Sequence, residues 1–395
     1  MSLGLLIAQV VLAAALPATY EVGLRTEVRG AAEGSGDLQL NPTLSFTAPI
    51  RSLTLTASYL PRILALEPAS RGGVTVLHRG ALLGEWRIHS NTRLFLDQQV
   101  AYGTNAFSLL VAAAEGSTLT LNRLNELPPL LYFSEATLLG IDQPLSRKLR
   151  LTATAAYGIS GGADDVARSL LPLQRGPRTG LTLAWLIHPR DTISAVIRYS
   201  AFYFDPTSGF STGARAYLLD TNAAWRHRFT RYELELGLGV AGARDVGADH
   251  SVRLYAQPVA TAGLRRELTK RRFHRFGGNL RARLAPAIDP LSGYTYSRVD
   301  GVAELDYLPI PKLKLTAGGG AAVALSGSLR GQAVGLVGLV SSYEIDRHFS
   351  VTGGVRVVFQ PTTQAVPQAT TQAVSQATTQ WVGFVAVSLS YREPL

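Results

Sequence analysis

The chain has no cysteine, a single methionine and few charges: only 17% of its 395 residues are Asp, Glu, Lys or Arg, against ~25% in soluble domains. Without a thiol there can be no disulfide framework, no thiolate metal site and no cysteine nucleophile. Long hydrophobic runs are missing as well. No interior stretch approaches the ~20 consecutive apolar residues of a spanning helix, which excludes a helical membrane protein. Convincing amphipathic helices are also lacking, while 46% hydrophobic residues exclude disorder over most of the chain. The length suits either two soluble domains or one large β-barrel.

The first apolar run, residues 3 to 16 (LGLLIAQVVLAAAL), is too short to span a bilayer and is followed by small residues at Ala13, Ala15 and Ala18. It reads as a secretory signal cleaved after Ala15 or Ala18, with 19–395 as one domain. From Tyr20 onward the period is two. Tyr20, Val22, Leu24 and Val28 share a face opposite Glu21, Arg25, Glu27 and Arg29, and the segments 38–48 and 52–60 repeat the pattern. Later segments behave alike as far as 380–391. Strands of ten or more residues exceed the globular mean and match the ~9 to 11 residues of a tilted strand crossing a bilayer.

The links between these segments alternate in length. Short ones fall near 49–51, 89–91, 142–147, 189–190, 229–230, 265–272, 309–311 and 344–347; longer ones near 31–37, 61–73, 103–133, 160–178, 205–212, 244–250, 286–296, 326–330 and 361–379. This predicts an all-β fold, a transmembrane antiparallel barrel of about 18 strands, with 16 to 20 open, and both chain ends on the short-turn side. An even count lets the sheet close without an unpaired edge in hydrocarbon. Trp86, Trp225, Phe349 and Tyr391 fall near inner strand ends and Phe359 and Trp381 near outer ends, as interface girdles would. On these residues, and on the closing WVGFVAVSLSY, the chain resembles a Gram-negative outer-membrane β-barrel of porin-like type. The resemblance implies an outer-membrane location with outer-membrane lipid as surroundings.

With the apolar face toward lipid, the lumen-lining candidates are Arg25, Arg29, Arg87, Arg93, Asp97, Arg198, Arg226, Glu233, Glu235, Arg253, Arg281, Arg283, Asp300, Glu304, Lys314 and Arg356. Arg150, Lys312, Glu21, Glu27, Glu85, Asp220 and Asp306 are read on the same face. The two signs nearly balance, so cross-strand pairing is expected in place of a single-sign field. The basic run 265–275 falls in an inner turn, where solvent or anionic headgroups suit it; with no interleaved stacking aromatics, nucleic acid is not an expected partner. The long link 103–133 is too apolar to float outside. It resembles the inward-folded third loop of general porins, the alternative being a further hairpin of the wall. Residues 361–380 carry a Thr, Gln and Ala repeat of low complexity, expected as an outer loop.

Other motifs carry little chemistry. Gly158-Ile159-Ser160-Gly161-Gly162 matches a nucleophile elbow without the strand-to-helix context, and Gly237 to Gly242 matches a dinucleotide fingerprint with no helix after it. The seven His show no metal spacing. No catalytic residue, cofactor or metal is therefore assigned. The expected function is a channel for polar solutes or an extruded polymer such as a polysaccharide, with a structural barrel or a barrel-embedded hydrolase as the alternative. A barrel without accessory domains is similar in outline to those that work with separate periplasmic partners in exopolysaccharide secretion.

Overall fold

In the computed structural model the described residues are 18–31, 36–67, 73–89, 91–106, 128–205, 214–247, 250–266, 275–289, 291–327, 330–362 and 376–394. The signal-like segment, the heart of the 103–133 link, most of the basic run and the repeat at 363–375 lie outside them. A single antiparallel sheet runs through the strands β1 (Thr19–Ala31), β2 (Gly36–Ile50), β3 (Leu53–Tyr59), β4 (Arg62–Glu67), β5 (Val74–Arg87), β6 (Arg93–Asn105), β7 (Leu130–Pro144) and β8 (Leu149–Gly162). It continues with β9 (Gln174–His188), β10 (Asp191–Phe204), β11 (Arg215–Arg228), β12 (Tyr232–Val246), β13 (Val252–Arg266) and β14 (Arg275–Ile288). The last strands are β15 (Thr295–Ile310), β16 (Leu313–Ala324), β17 (Ala333–Glu344), β18 (Phe349–Thr362) and β19 (Gln376–Pro394). β19 returns to β1, Thr19 opposite Pro394 and Ala31 opposite Val382, so the barrel closes.

β3 and β4 are halves of one wall strand. They meet β2 in one register and β5 in one register, and part only at Leu60-Pro61, where the proline has no N–H to donate. The wall therefore has eighteen strands. Strand β4 also corrects the 61–73 link, which begins only after Glu67. A second departure is the short helix α1 (Asp165–Leu170), where no helix was expected. It is too brief to show a helical period and is started by its cap, the Asp164 carboxylate accepting the Ala167 N–H at 2.6 Å.

The two faces differ sharply. Leu238 and Leu254 are more than 70% exposed, and Leu24, Leu139, Val337 and Val385 sit on the same outward side. Glu27, Arg29, Asp37, Asp245, Val382 and Ala386, on the opposite face, are buried. In a wall one sheet thick, only the enclosed side can bury a residue so completely, which makes the polar face the lumen. Aromatic side chains of the outward face gather at the short-turn ends: Trp86, Trp185, Trp225 and Tyr391 are exposed there, and Phe276 stacks on Tyr307 at 4.4 Å.

Among the described turns on that side, two are capped by side chains, Ser146 in the β7–β8 turn and Asp346 in the β17–β18 turn. In the β17–β18 turn the Asp346 carboxylate accepts the N–H groups of His348 at 2.7 Å and Phe349 at 2.9 Å, and these bonds hold its carboxyl below the usual range. A depressed folded value means stability that is present above the unfolded pKa and lost as pH falls through the folded one. Asp346→Asn should therefore lower the denaturant midpoint in vesicles near neutral pH and match the parent in acid. Equal midpoints at both pH values would remove the turn carboxylate from the account.

Candidate functional site: a lumen crossed by an infolded hairpin

The register places all sixteen lumen candidates on the enclosed face. Many are joined to one another or to neighbours, within a strand or across strands. Glu27 lies 2.9 Å from both Arg25 and Arg29, and Arg29 reaches Asp37 at 3.6 Å. Arg93 bridges Glu85 at 3.3 Å and Asp142 at 3.6 Å. Asp142 also pairs with Arg150. Further round, Arg198 meets Asp220 at 3.5 Å, Arg226 meets Glu235 at 2.8 Å, and Lys314 meets Asp306 at 2.9 Å. Glu233 takes both Arg226 and Arg228. Asp300 holds Arg298, and Asp97 holds Gln99. Arg253 lies over the Tyr294 ring at 4.9 Å and Arg356 over Phe384 at 5.1 Å. Among the described residues, Arg87, Arg281, Arg283 and Glu304 have no ion-pair partner. Lys312 is not part of this wall: it sits in the β15–β16 turn and donates to the Ile345 carbonyl at 2.7 Å.

Strand ends add members that the alternation did not include, among them Asp37, Arg62, Asp142, Arg178, Asp245 and Arg298. Arg178 faces inward from β9 and lies over Phe202 at 4.9 Å. With Asp97, Gln99, Thr154 and Arg198 it lines a cavity of about 390 Å³ along the inner wall.

The lumen is crossed on its long-loop side, and the cause lies in the register. The ladder between β13 and β14 runs from Arg266–Gly278 to Ala260–Leu284 and stops. Continued, it would set Pro258 against Pro286. Ser297, opposite Pro286, uses its own N–H and C=O toward Ser326 and Leu325. By the antiparallel pattern, the donor that Pro286 lacks is therefore the one that would have faced β13.

Beyond this point the upper hairpin of β14 and β15 leans into the lumen. The buried Asp245 at the end of β12 accepts the Thr295 N–H at 2.8 Å and its hydroxyl at 2.7 Å. Tyr255 bonds to the same carboxylate and approaches the Thr295 carbonyl at 3.0 Å; Gln257 bonds to Ser297. At the tip, Asp289 accepts the Leu291 N–H at 3.1 Å and the Ser292 hydroxyl at 2.6 Å. Gly293, at φ 71°, is tucked so close to Phe204 and Ala214 that a Cβ would come within 2.9 Å. Leu291 ends in a buried cluster with Leu130 of β7, Ala167 of α1 and Leu171. These belong to a distant arc of the wall, so the tip spans the mouth.

This hairpin was legible only as one of the longer links, 286–296, while the expectation of infolding fell on 103–133. Of that segment, 107–127 lies outside the described residues; β6 reaches Asn105 and β7 begins at Leu130. The weighed motifs carry no site. Gly158 to Gly162 end β8, with Ser160 accepting from Gln174 at 2.8 Å, and Gly237 to Gly242 lie within β12. Among the described residues no cluster of His, Asp and Glu could hold a metal ion.

A closed barrel with an apolar exterior, an aromatic rim and a polar, ion-paired lumen is a channel of the outer membrane. The chain belongs to the EpsX exopolysaccharide export family, whose model matches residues 8–381. No curated protein matches it in sequence. Its fold is similar to that of the FrpB iron transporter from Neisseria meningitidis (F5-1 variant, apoprotein form), with a TM-score of 0.54 and 8% identity over 94% of this chain and 81% of that one. It is also similar to the outer membrane protein OpdK from Pseudomonas aeruginosa, with a TM-score of 0.50 and 10% identity over 95% and 99% of the two chains.

Proposed function

We propose that the barrel is the exit conduit for an exopolysaccharide, and that it conducts without catalysing. The observation that carries this is the hairpin tip across the mouth: side-chain contacts around Asp245 and Leu291 hold it there in place of ladder pairing with β13, so a polymer arriving from inside can push it aside. The inner wall suits such cargo. Most of its charges are satisfied by each other, so no single-sign field binds a sliding chain tightly, while arginine-backed rings offer flat faces to sugars. Two of the histidines make local contacts, His78 with Tyr59 and His227 with Asp191. A separate periplasmic partner would deliver the chain to the short-turn side.

Deleting the gene should abolish surface polysaccharide while leaving the polymer made inside the cell, and the full-length protein should restore it. Normal surface polymer in the deletion strain would reject this reading. Orientation is tested independently: a tag inserted at Gln372 should label on intact cells and one after Leu395 should not. Surface labelling of the C-terminal tag would invert the barrel.

A further inference from the structure

The outer face of a transmembrane wall is a costly place for an unpaired charge. Yet in the long-loop half, the described outward positions hold arginine at Arg175, Arg215 and Arg244, all within the four consecutive strands β9 to β12. The register interleaves them with tyrosines: Tyr203 stands opposite both Arg175 and Arg215, and Tyr217 stands opposite Arg244. Arg175 is neutralised by Asp205 at 3.3 Å. Arg215 and Arg244 are exposed, and neither has an ion-pair or hydrogen-bond partner among the described residues. Just below them a groove of about 480 Å³ runs over Tyr199, Leu219, Gly242 and Leu254. Its floor is open because Gly242 has no side chain and nothing lies within 4 Å of where a Cβ would stand.

A lipid-facing arginine costs about 2 to 4 kcal/mol at the bilayer midplane and about 0 to 1 near the interface. Arg215 is the first residue of β11 and Arg244 lies close to the end of β12, which puts both at headgroup depth. With long loops outside, as in barrels of this kind, that depth belongs to the outer leaflet. Two free guanidiniums flanked by tyrosine hydroxyls match a phosphate, since arginine offers paired donors in a fixed plane. The apolar groove beneath them matches an acyl chain. We propose that Arg215 and Arg244 form a binding site for a phosphorylated glycolipid of the outer leaflet, with its phosphate on the two guanidiniums and an acyl chain over Gly242. The seat adjoins the stretch of β13 that β14 leaves uncovered, so the bound lipid packs against the wall where its ladder is incomplete.

The test uses the full-length protein in nanodiscs, with bis-phosphorylated lipid A as probe and native mass spectrometry as readout. Arg215→Gln/Arg244→Gln should lower affinity for the probe about tenfold or more, and Arg215→Lys/Arg244→Lys, which keeps the charge without the paired donors, should fall between the parent and the double Gln variant. Arg266→Gln, an outward arginine at the short-turn end, should leave affinity unchanged. Gly242→Leu keeps both arginines but fills the groove, and should weaken binding even if the double Gln variant fails to fold. Dephosphorylated lipid A should bind weakly, and equally to the parent and the double Gln variant. The proposal is overturned by equal probe affinity in parent, double Gln and Gly242→Leu proteins, by undiminished binding of the dephosphorylated lipid, or by complete displacement with millimolar inorganic phosphate, which would mark a simple anion site.

Discussion

Replacing Asp289–Tyr294 by an Asn-Gly turn should raise single-channel conductance roughly threefold, toward that of an open eighteen-stranded lumen. The replaced residues carry the contacts that span the mouth: Leu291 in its cluster with Leu130, Ala167 and Leu171, Gly293 against Phe204, and Tyr294 beneath Arg253. None of them belongs to the wall ladder, which resumes at Thr295 opposite Ile288. The variant should consequently assemble and resist heat in detergent as the parent does. A folded variant with parental conductance would show that the tip does not limit passage.

Export itself should stop when the tip is tethered. Leu291→Cys combined with Leu171→Cys places two thiols in one buried cluster. Because the chain has no other cysteine, a short thiol cross-linker can join only these two positions. Cross-linked cells should lose surface polysaccharide at least about tenfold, a block a tight steric constriction readily imposes, and a reducible linker should restore it on reduction. Undiminished surface polymer with the cross-link complete would mean that the cargo passes without moving the hairpin, and each single-cysteine variant controls for local damage.

Much of the wall is legible in the sequence because lipid imposes a strict rule on one face. Wherever Leu24, Leu236 or Val385 must meet hydrocarbon, the residues between them are free to be polar, and the alternation is unmistakable. The rule lapses above the hydrocarbon. There the outward positions themselves become polar, as at Arg175, Arg215 and Arg244, so the period disappears while the ladder continues. That is why Asp37, Arg62, Arg178 and Asp245 fall in predicted links although they line the lumen.

The infolded hairpin is hidden for another reason. Pro258 and Pro286 are unremarked residues until the register sets them face to face, and register is a long-range property that local pattern does not encode. The tip has one large aliphatic anchor, Leu291, too little to distinguish it from any outer loop. Apolar content drew attention to 103–133, whereas the hairpin is held by a carboxylate network around Asp245.

The half-made ladder between β13 and β14 also sets the mechanics of the barrel. A closed sheet has no natural first strand to lose, and every other full-length neighbour pair is zipped over most of its length. Here the zip ends at Ala260 opposite Leu284. Rupture under tension should begin at this seam, and in assembly the same seam should be the last to tighten. The ring therefore behaves as a ribbon clasped at a second place besides the joint of β1 with β19, and the clasp is a set of side chains around one buried carboxylate.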